Sequence, residues 1–343
     1  MEEEIRLLII YTGGTIGMIQ DPQTGTLKPF NFEKINEQIP ELSRFNYQLD
    51  FHSFDPLIDS SNTNPEYWIQ LASLIEQHYE SYDGFVVLHG SDTMSYTASA
   101  MSFMLENLNK PVIFTGSQLP LGVLRTDGKE NFITAIELAA AREDDLPVVP
   151  EVCIYFENHL MRANRTLKYN AENFNAFISP NYPLLAEVGV YVKFEKQYIL
   201  KPNFKKLKVH KKLDNRVGIL KLFPGIRPEL VHAVLSVPDQ RAVILETFGA
   251  GNATTEEWFL NELKQAVARE VLLVNVTQCM AGTVEQGKYD TSFLMKQMGV
   301  ISGYDCTTEA VLAKLMFLLG QNLSMEQLKK RMNISLRGEM SVV

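Results

Sequence analysis

The stretch that decides the fold is Arg6-Leu7-Leu8-Ile9-Ile10-Tyr11, followed at once by Thr12-Gly13-Gly14-Thr15-Ile16-Gly17. A brief, branched and apolar run that stops at a glycine-rich turn reads as a buried strand ending in a loop, not as a helix. The same grammar recurs in Gly84–Leu88, Pro111–Phe114 and Val152–Phe156. Between these runs the period changes. Asn64 and Pro65 open a helix, since Asn caps free amides and Pro sits where no amide is needed. Trp68, Leu71, Ala72 and Ile75 then share one face, and further helical patterns run over Met94–Leu105 and Lys129–Ala141. Strand–helix–strand alternation predicts a parallel sheet covered by helices on both faces.

The pattern weakens from Pro183, and the lysine-rich stretch 193–214, with Pro202 inside it, has the composition of an exposed connector. Alternation then resumes. Val217–Phe223, Ala242–Leu245 and Val271–Val276 read as strands; Glu256–Arg269 and Glu309–Leu319 read as helices, the second stopped by Gly320. Ser324 and Gln327 form a capping-box start for a last helix. The expected fold class is α/β: a larger N-terminal parallel-sheet domain with flanking helices over residues 1–190, a linker over 191–214, and a smaller C-terminal α/β domain over 215–343.

A chain of 343 residues has room for two domains of about 150 residues each. With 45% apolar and 21% charged residues it is an ordinary globular composition, not a disordered one. Net charge is −9 and no basic patch stands out, which argues against nucleic acid as a partner. No apolar run reaches the ~20 residues that span a bilayer, and the acidic start Met1-Glu2-Glu3-Glu4 is unlike a secretory signal. Three cysteines (Cys153, Cys279, Cys306) at unrelated spacings and six scattered histidines argue against a disulfide framework and a metal site. These features predict a cytoplasmic globular protein without a metal.

Ligands of open parallel sheets bind beyond the carboxyl ends of the strands. Three strands here end in glycine plus hydroxyls: Thr12–Gly17, then His89-Gly90-Ser91-Asp92-Thr93, then Thr115-Gly116-Ser117-Gln118. Any one such turn is ordinary capping material, but three at one edge favour a site. There is no Gly-x-Gly-x-x-Gly after the first strand, no Gly-x-x-x-x-Gly-Lys-Ser/Thr loop and no Gly-x-Ser-x-Gly elbow, which leaves a hydroxyl nucleophile activated without histidine. A threonine hydroxyl needs a base or relay beside it, and Lys168, beyond the Val152–Phe156 strand and a loop, can reach the same edge. As one of 32 basic residues, it is by spacing alone more often a solvated surface lysine.

Thr12–Gly17, His89–Met94 and Asn164-Arg165-Thr166 with Lys168 together resemble the bacterial L-asparaginase family. Asp59-Ser60-Ser61, Tyr82–Phe85, Tyr96–Ala100, Pro111–Ile113 and Thr277-Gln278-Cys279-Met280 look like its cytoplasmic, type I branch. The resemblance covers nearly the whole chain. It implies hydrolysis of the side-chain amide of L-asparagine to L-aspartate and ammonia, without metal or organic cofactor, by a dimer or tetramer. It implies Thr15 as the nucleophile, with Ser91, Asp92 and Lys168 completing the catalytic set. Asp59, Ser60 and Ser61, with Ser91 and Asp92, would bind the charged α-groups of the substrate. Opposite charges on one small molecule call for convergent partners of both kinds.

The sequence also departs from the family pattern. Ser91 stands where threonine is usual, keeping the hydroxyl and losing the methyl that limits its rotamers. Thr26 stands where the mobile segment usually supplies a tyrosine, with Tyr289 as another source. Glu246 stands where some type I enzymes carry a regulatory arginine. Thr277, Gln278 and Cys279 are kept, so Glu246, Thr277, Gln278 and Cys279 form a possible regulatory remnant, yet an acid cannot pair a carboxylate, which speaks against activation by asparagine. Alternatives are a broader amidase that takes glutamine, a non-catalytic amino-acid sensor, and a nucleotide-dependent oxidoreductase.

Overall fold

The computed structural model describes residues 4–20, 27–29, 39–287 and 290–341. The chain divides into two compact units, Met1–Lys211 and Lys212–Val343.

The first unit is built on an eight-stranded sheet. Its strands are β1 (Ile5–Tyr11), β2 (Tyr47–Ser53), β3 (Gly84–Leu88), β4 (Val112–Thr115), β5 (Val152–Phe156), β6 (His159–Arg162), β9 (Ala186–Val188) and β10 (Val192–Phe194). A separate short hairpin pairs β7 (Leu167–Lys168) with β8 (Phe177–Ile178). The order across the large sheet is β10-β9-β6-β5-β4-β3-β1-β2. Five strands, β2 through β5 with β1 among them, run parallel; β6, β9 and β10 are added antiparallel.

Strands β1, β3, β4 and β5 fall where the sequence predicts them, and so do the helices. Helices α1 (Pro65–His78), α2 (Met94–Met104) and α3 (Gly128–Ala140) fall where the period changed. Asn64 caps α1 by accepting from the Tyr67 amide at 3.2 Å, ahead of Pro65. Trp68, Leu71, Ala72 and Ile75 are buried. Along β1, Leu7 and Ile9 join a core that includes Phe132, Ala135 and Ile136 of α3, while the intervening Leu8 and Ile10 are equally buried. Both faces of the strand are therefore covered, which is why it reads as a continuous apolar run instead of an alternating one. Each such leucine or isoleucine contributes roughly 1.5–3 kcal/mol on burial.

The antiparallel strands β6 and β9 are additions to the expected parallel sheet, and two further features differ from expectation. Strand β2 has no counterpart in the sequence reading, because its position at the sheet edge leaves Tyr47–Ser53 only partly buried and its polar and apolar residues mixed. The stretch 191–214, expected as a connector, begins as strand: Val192 and Phe194 pair with β9, and Lys208–Val209 pair with Leu105–Glu106. A buried ion pair, Arg162 to Glu151 at 2.6 Å, fastens the segment between, Glu151 accepting from the Leu200 amide (2.8 Å) and Arg162 donating to Tyr198 O (2.7 Å). The division between the units lies inside that stretch, after Lys211.

The second unit carries a four-stranded parallel sheet in the order β11 (Val217–Lys221), β12 (Ala242–Thr247), β13 (Leu272–Thr277), β14 (Ile301–Ser302). Helices α4 (Pro228–Leu235) and α5 (Glu257–Ala268) pack on it through Val231, Leu235, Phe259 and Leu263. Helix α6 (Thr308–Leu319) ends at Gly320, where an added Cβ would lie 2.2 Å from Lys212 O. The capping box of Ser324 and Gln327 starts α7 (Met325–Met332), as the sequence indicated. Among the described residues no helix is long and apolar enough to cross a membrane.

Candidate active site

Three parallel strands deliver three turns to one edge. At the end of β1 the Thr12 amide and Oγ1 both donate to Leu88 O on β3, at 3.0 and 3.1 Å. At the end of β3 the His89 amide donates to Thr115 O on β4 (3.0 Å). The ladder thus continues one residue past each strand and sets the turns side by side.

The glycines let those turns touch. Gly14, at φ 90°, lies so close to Gly90 that a Cβ on it would sit 2.5 Å from the Gly90 backbone. A Cβ on Gly90 would in turn meet Ser60 Oγ at 2.5 Å. The segments bearing Thr15, Ser91 and Asp59-Ser60-Ser61, far apart in sequence, are therefore in direct contact. Thr93 Oγ1 strengthens the junction by donating to Ser60 O (2.7 Å), and the Ile58 amide donates to Thr12 O (2.8 Å).

Thr15 opens a single 3-10 turn, Thr15–Gly17, and is half-buried. The Tyr11 hydroxyl donates to Gly14 O at 3.2 Å, and its ring covers Gly17 where any Cβ would overlap it. Burial pushes the Tyr11 phenol well above its usual range, so it stays a donor. Asp59 accepts from the Ser61 amide (3.0 Å) and, with Ser61, remains exposed, while Ser60 is buried. Carboxylate and hydroxyl are thereby presented by one tight turn.

Lys168 arrives from elsewhere. Its strand β7 follows a buried turn, Ala163–Arg165, in which Thr166 Oγ1 donates to Arg162 O (2.7 Å) and Ser99 of α2 donates to Ala163 O (3.4 Å). Lys168 Nζ then lies 2.9 Å from Ser91 Oγ and 2.7 Å from Asp92 Oδ1. The lysine side chain is 17% exposed and the aspartate 63%. A hydroxyl, an amine and a carboxylate in hydrogen-bonded series can move a proton and neutralise the cation that forms.

His89 is not part of that series. It is fully enclosed, with Nδ1 2.7 Å from Gly90 O, and burial lowers its pKa from 6.5 to about 4. A carbonyl only accepts, so Nδ1 carries the hydrogen and the ring is neutral at pH 7, a brace for the turn. Gln118 is a site residue that the sequence reading quoted without a role. Its Oε1 stands 3.4 Å from Ser91 Oγ, and its Nε2 donates to Ala171 O and Asn173 O (3.3 and 3.0 Å). The signal in sequence was its place in the third strand-end turn.

The remaining expected residues lie in the second unit, at the carboxyl ends of β12 and β13. Gln278 Nε2 donates to Leu222 O and to the main chain of Glu246 (2.6 and 2.7 Å). Thr277 Oγ1 donates to Gly249 O (2.6 Å) and accepts from the Cys279 amide (3.0 Å). The Glu246 carboxylate accepts from Thr308 Oγ1 (2.8 Å) and faces Lys221 at 3.9 Å. Glu309 beside it has its pKa raised by burial, with the charge of Glu246 adding to the effect. Thr26 and Tyr289, the two candidates for a lid hydroxyl, lie outside the described residues. Among the described residues no group of three or more His, Cys, Asp or Glu side chains could hold a metal ion.

Comparison with known proteins adds two family matches, "Asparaginase, N-terminal" over residues 6–200 and "Glutaminase/Asparaginase C-terminal domain" over residues 216–332. The chain is 43% identical over 336 residues to L-asparaginase 1 of Escherichia coli (strain K12), covering 98% of each. It is 42% identical over 367 residues to a 60 kDa lysophospholipase of Mus musculus, covering 100% of this chain and 64% of that protein. The crystal structure of L-asparaginase I from Vibrio cholerae superposes with a TM-score of 0.89 at 44% identity, over 99% of this chain and 100% of that one.

Proposed function

The chain belongs to the asparaginase family, and we infer that it is an L-asparaginase, hydrolysing the side-chain amide of L-asparagine to L-aspartate and ammonia through a threonine acyl-enzyme. The observation that carries this reading is the series Ser91–Lys168–Asp92, at 2.9 and 2.7 Å, on the strand edge that also presents Thr15. Binding alone has no need of a buried-stem lysine aimed at a hydroxyl.

We assign the roles as follows. Thr15 Oγ attacks the amide carbon, and its proton ends on the nitrogen that leaves as ammonia. Water then attacks the ester. Ser91 takes a proton from that water and passes its own to Lys168 in the amine form, and Asp92 stabilises the ammonium as it forms. As the adduct collapses, Lys168 returns that proton through Ser91 to Thr15, and the new carboxyl of L-aspartate loses its remaining proton to solvent. Backbone amides of the glycine-rich turns are the candidates for holding the oxyanion. Asp59, with Asp92, pairs the substrate ammonium, and Ser60, Ser61 and the main-chain amide of Ser91 supply donors to its carboxylate. Support for this division comes from the exposure of Asp59 and Ser61 beside the Gly14–Gly90 contact. The working site is further proposed to be cytoplasmic, and the working form a homodimer or homotetramer.

The test is ammonia release by wild type, Thr15→Ala and Lys168→Met from L-asparagine, with L-glutamine and a lysophospholipid as comparison substrates. Asparagine turnover that falls about 10³-fold or more in both variants is expected. One extra methylene is worth ~1–3 kcal/mol, so glutamine is expected to react 10–200-fold less efficiently. Asparagine binding without ammonia would instead identify an amino-acid sensor, and undiminished turnover by Thr15→Ala would remove the proposed nucleophile.

A further inference from the structure

Gln118 bridges two parts of the site that no backbone ladder joins. Its main chain is fixed, because the Gln118 amide donates to both oxygens of Asp127 (3.1 and 2.9 Å) and the Leu119 amide to one of them (3.1 Å). Its side-chain nitrogen donates to Ala171 O and Asn173 O, in the segment just past Lys168. With the amide hydrogens on those two carbonyls, the orientation of the amide is decided: Oε1 faces Ser91. A carbonyl oxygen only accepts. In the resting site the Ser91 hydroxyl hydrogen therefore points at Gln118 (3.4 Å) and its lone pairs at Lys168 Nζ (2.9 Å); rotation about Cβ–Oγ turns that hydrogen to Lys168 during turnover while Oγ keeps its place.

At 3.4 Å this contact is long for a hydroxyl hydrogen bond, and its value lies in direction more than in strength. Serine has no second substituent on Cβ, so its χ1 is free among the staggered wells, whereas a β-methyl restricts that choice. Ser91 is also only half-buried, so packing alone does not hold it. We propose that Gln118 is a positioning residue: it keeps the Ser91 hydroxyl in the rotamer that meets Lys168, and ties that rotamer to the segment following Lys168. This rests on the reading of Ser91 and Lys168 as the proton relay.

The test is a double-mutant cycle read in kcat and KM for L-asparagine: wild type, Gln118→Leu, Ser91→Thr and the double variant. Gln118→Leu is expected to lower kcat about tenfold while moving KM by less than about threefold. Measured against Ser91→Thr itself, the same Gln118→Leu change is expected to cost less than about threefold, because the added methyl restricts χ1 without the amide. Gln118→Met, close in volume, is carried in parallel, and melting curves show which variants are folded. An unchanged kcat in Gln118→Leu and Gln118→Met overturns the proposal. So does a tenfold loss that persists in the Ser91→Thr background, which would place the effect in the 171–173 segment instead. The wild-type arm reads the parent assignment separately: absence of ammonia release there overturns the asparaginase reading, and the positioning role with it.

Discussion

Gly14 and Gly90 meet where no side chain fits. At Gly14 both the backbone angle (φ 90°) and the space are against a Cβ, which would lie 2.5 Å from Gly90 Cα and N. Backbone cannot step aside as a flexible side chain can. Gly14→Ala is expected to cost about 2–3 kcal/mol in urea unfolding and, by separating the turns of Thr15 and Ser91, to lower asparagine turnover by about 10²-fold. The neighbouring His89 makes a pH prediction. Its folded pKa, about 4, is below the ordinary 6.5, so between those values the unfolded chain binds a proton that the folded one does not. Stability is then lost as pH falls through that window, by about 2 kcal/mol between pH 7.5 and 5. Denaturant midpoints for wild type and His89→Gln check it; the variant should show a flatter dependence over the same range.

At the scale of elements, helix starts were legible because they are chemical signals local in sequence. Asn64-Pro65 and Ser324 with Gln327 cap helices by contacts within three residues. Ser324→Ala is expected to lower stability by about 1 kcal/mol, read as a shift of the melting midpoint, with kcat and KM for asparagine unchanged. Buried parallel strands were legible for a related reason, being apolar on both faces. Strand β2 was not, because an edge strand has one wet side and its pattern dilutes. Helix α4 was not either: its N-cap, Arg227, makes no side-chain cap, and the helix is eight residues long. The pairing of Val192–Phe194 was hidden among lysines that face solvent from an edge.

At the scale of the whole molecule, the described residues of the second unit include a fully buried charge pair. Lys314 of α6 and Glu339 are both fully enclosed, 2.7 Å apart, with Lys314 also donating to Met332 O and Ile334 O. Glu339 accepts from the Leu336 and Arg337 amides, so the pair holds the segment 334–339 against α6. Although burial opposes it, Lys314 and these donors hold the Glu339 carboxyl below its usual 4.5. That stability is present above 4.5 and is lost as pH falls through the lowered folded value. Lys314→Met, which strands the carboxylate, is expected to cost about 3–5 kcal/mol in denaturant unfolding, and Lys314→Met with Glu339→Gln to recover much of it. Light scattering on the purified protein tests the proposed assembly, which predicts twice or four times the mass of one chain; a single-chain mass would refute it.

The sequence by itself determined the α/β class, the positions of the longer buried parallel strands and of most helices, and the identity of the turns that carry the chemistry. Those properties depend on neighbours a few residues away: period, caps, and glycines that end a strand. Only the tertiary structure decided which of those turns touch. That Lys168 meets Ser91 and Asp92, that Gly90 abuts Ser60, and that Gln118 faces Ser91 are consequences of strand order and register. Contacts across tens of residues leave no periodic trace in a single chain, and only packing brings them within hydrogen-bond reach.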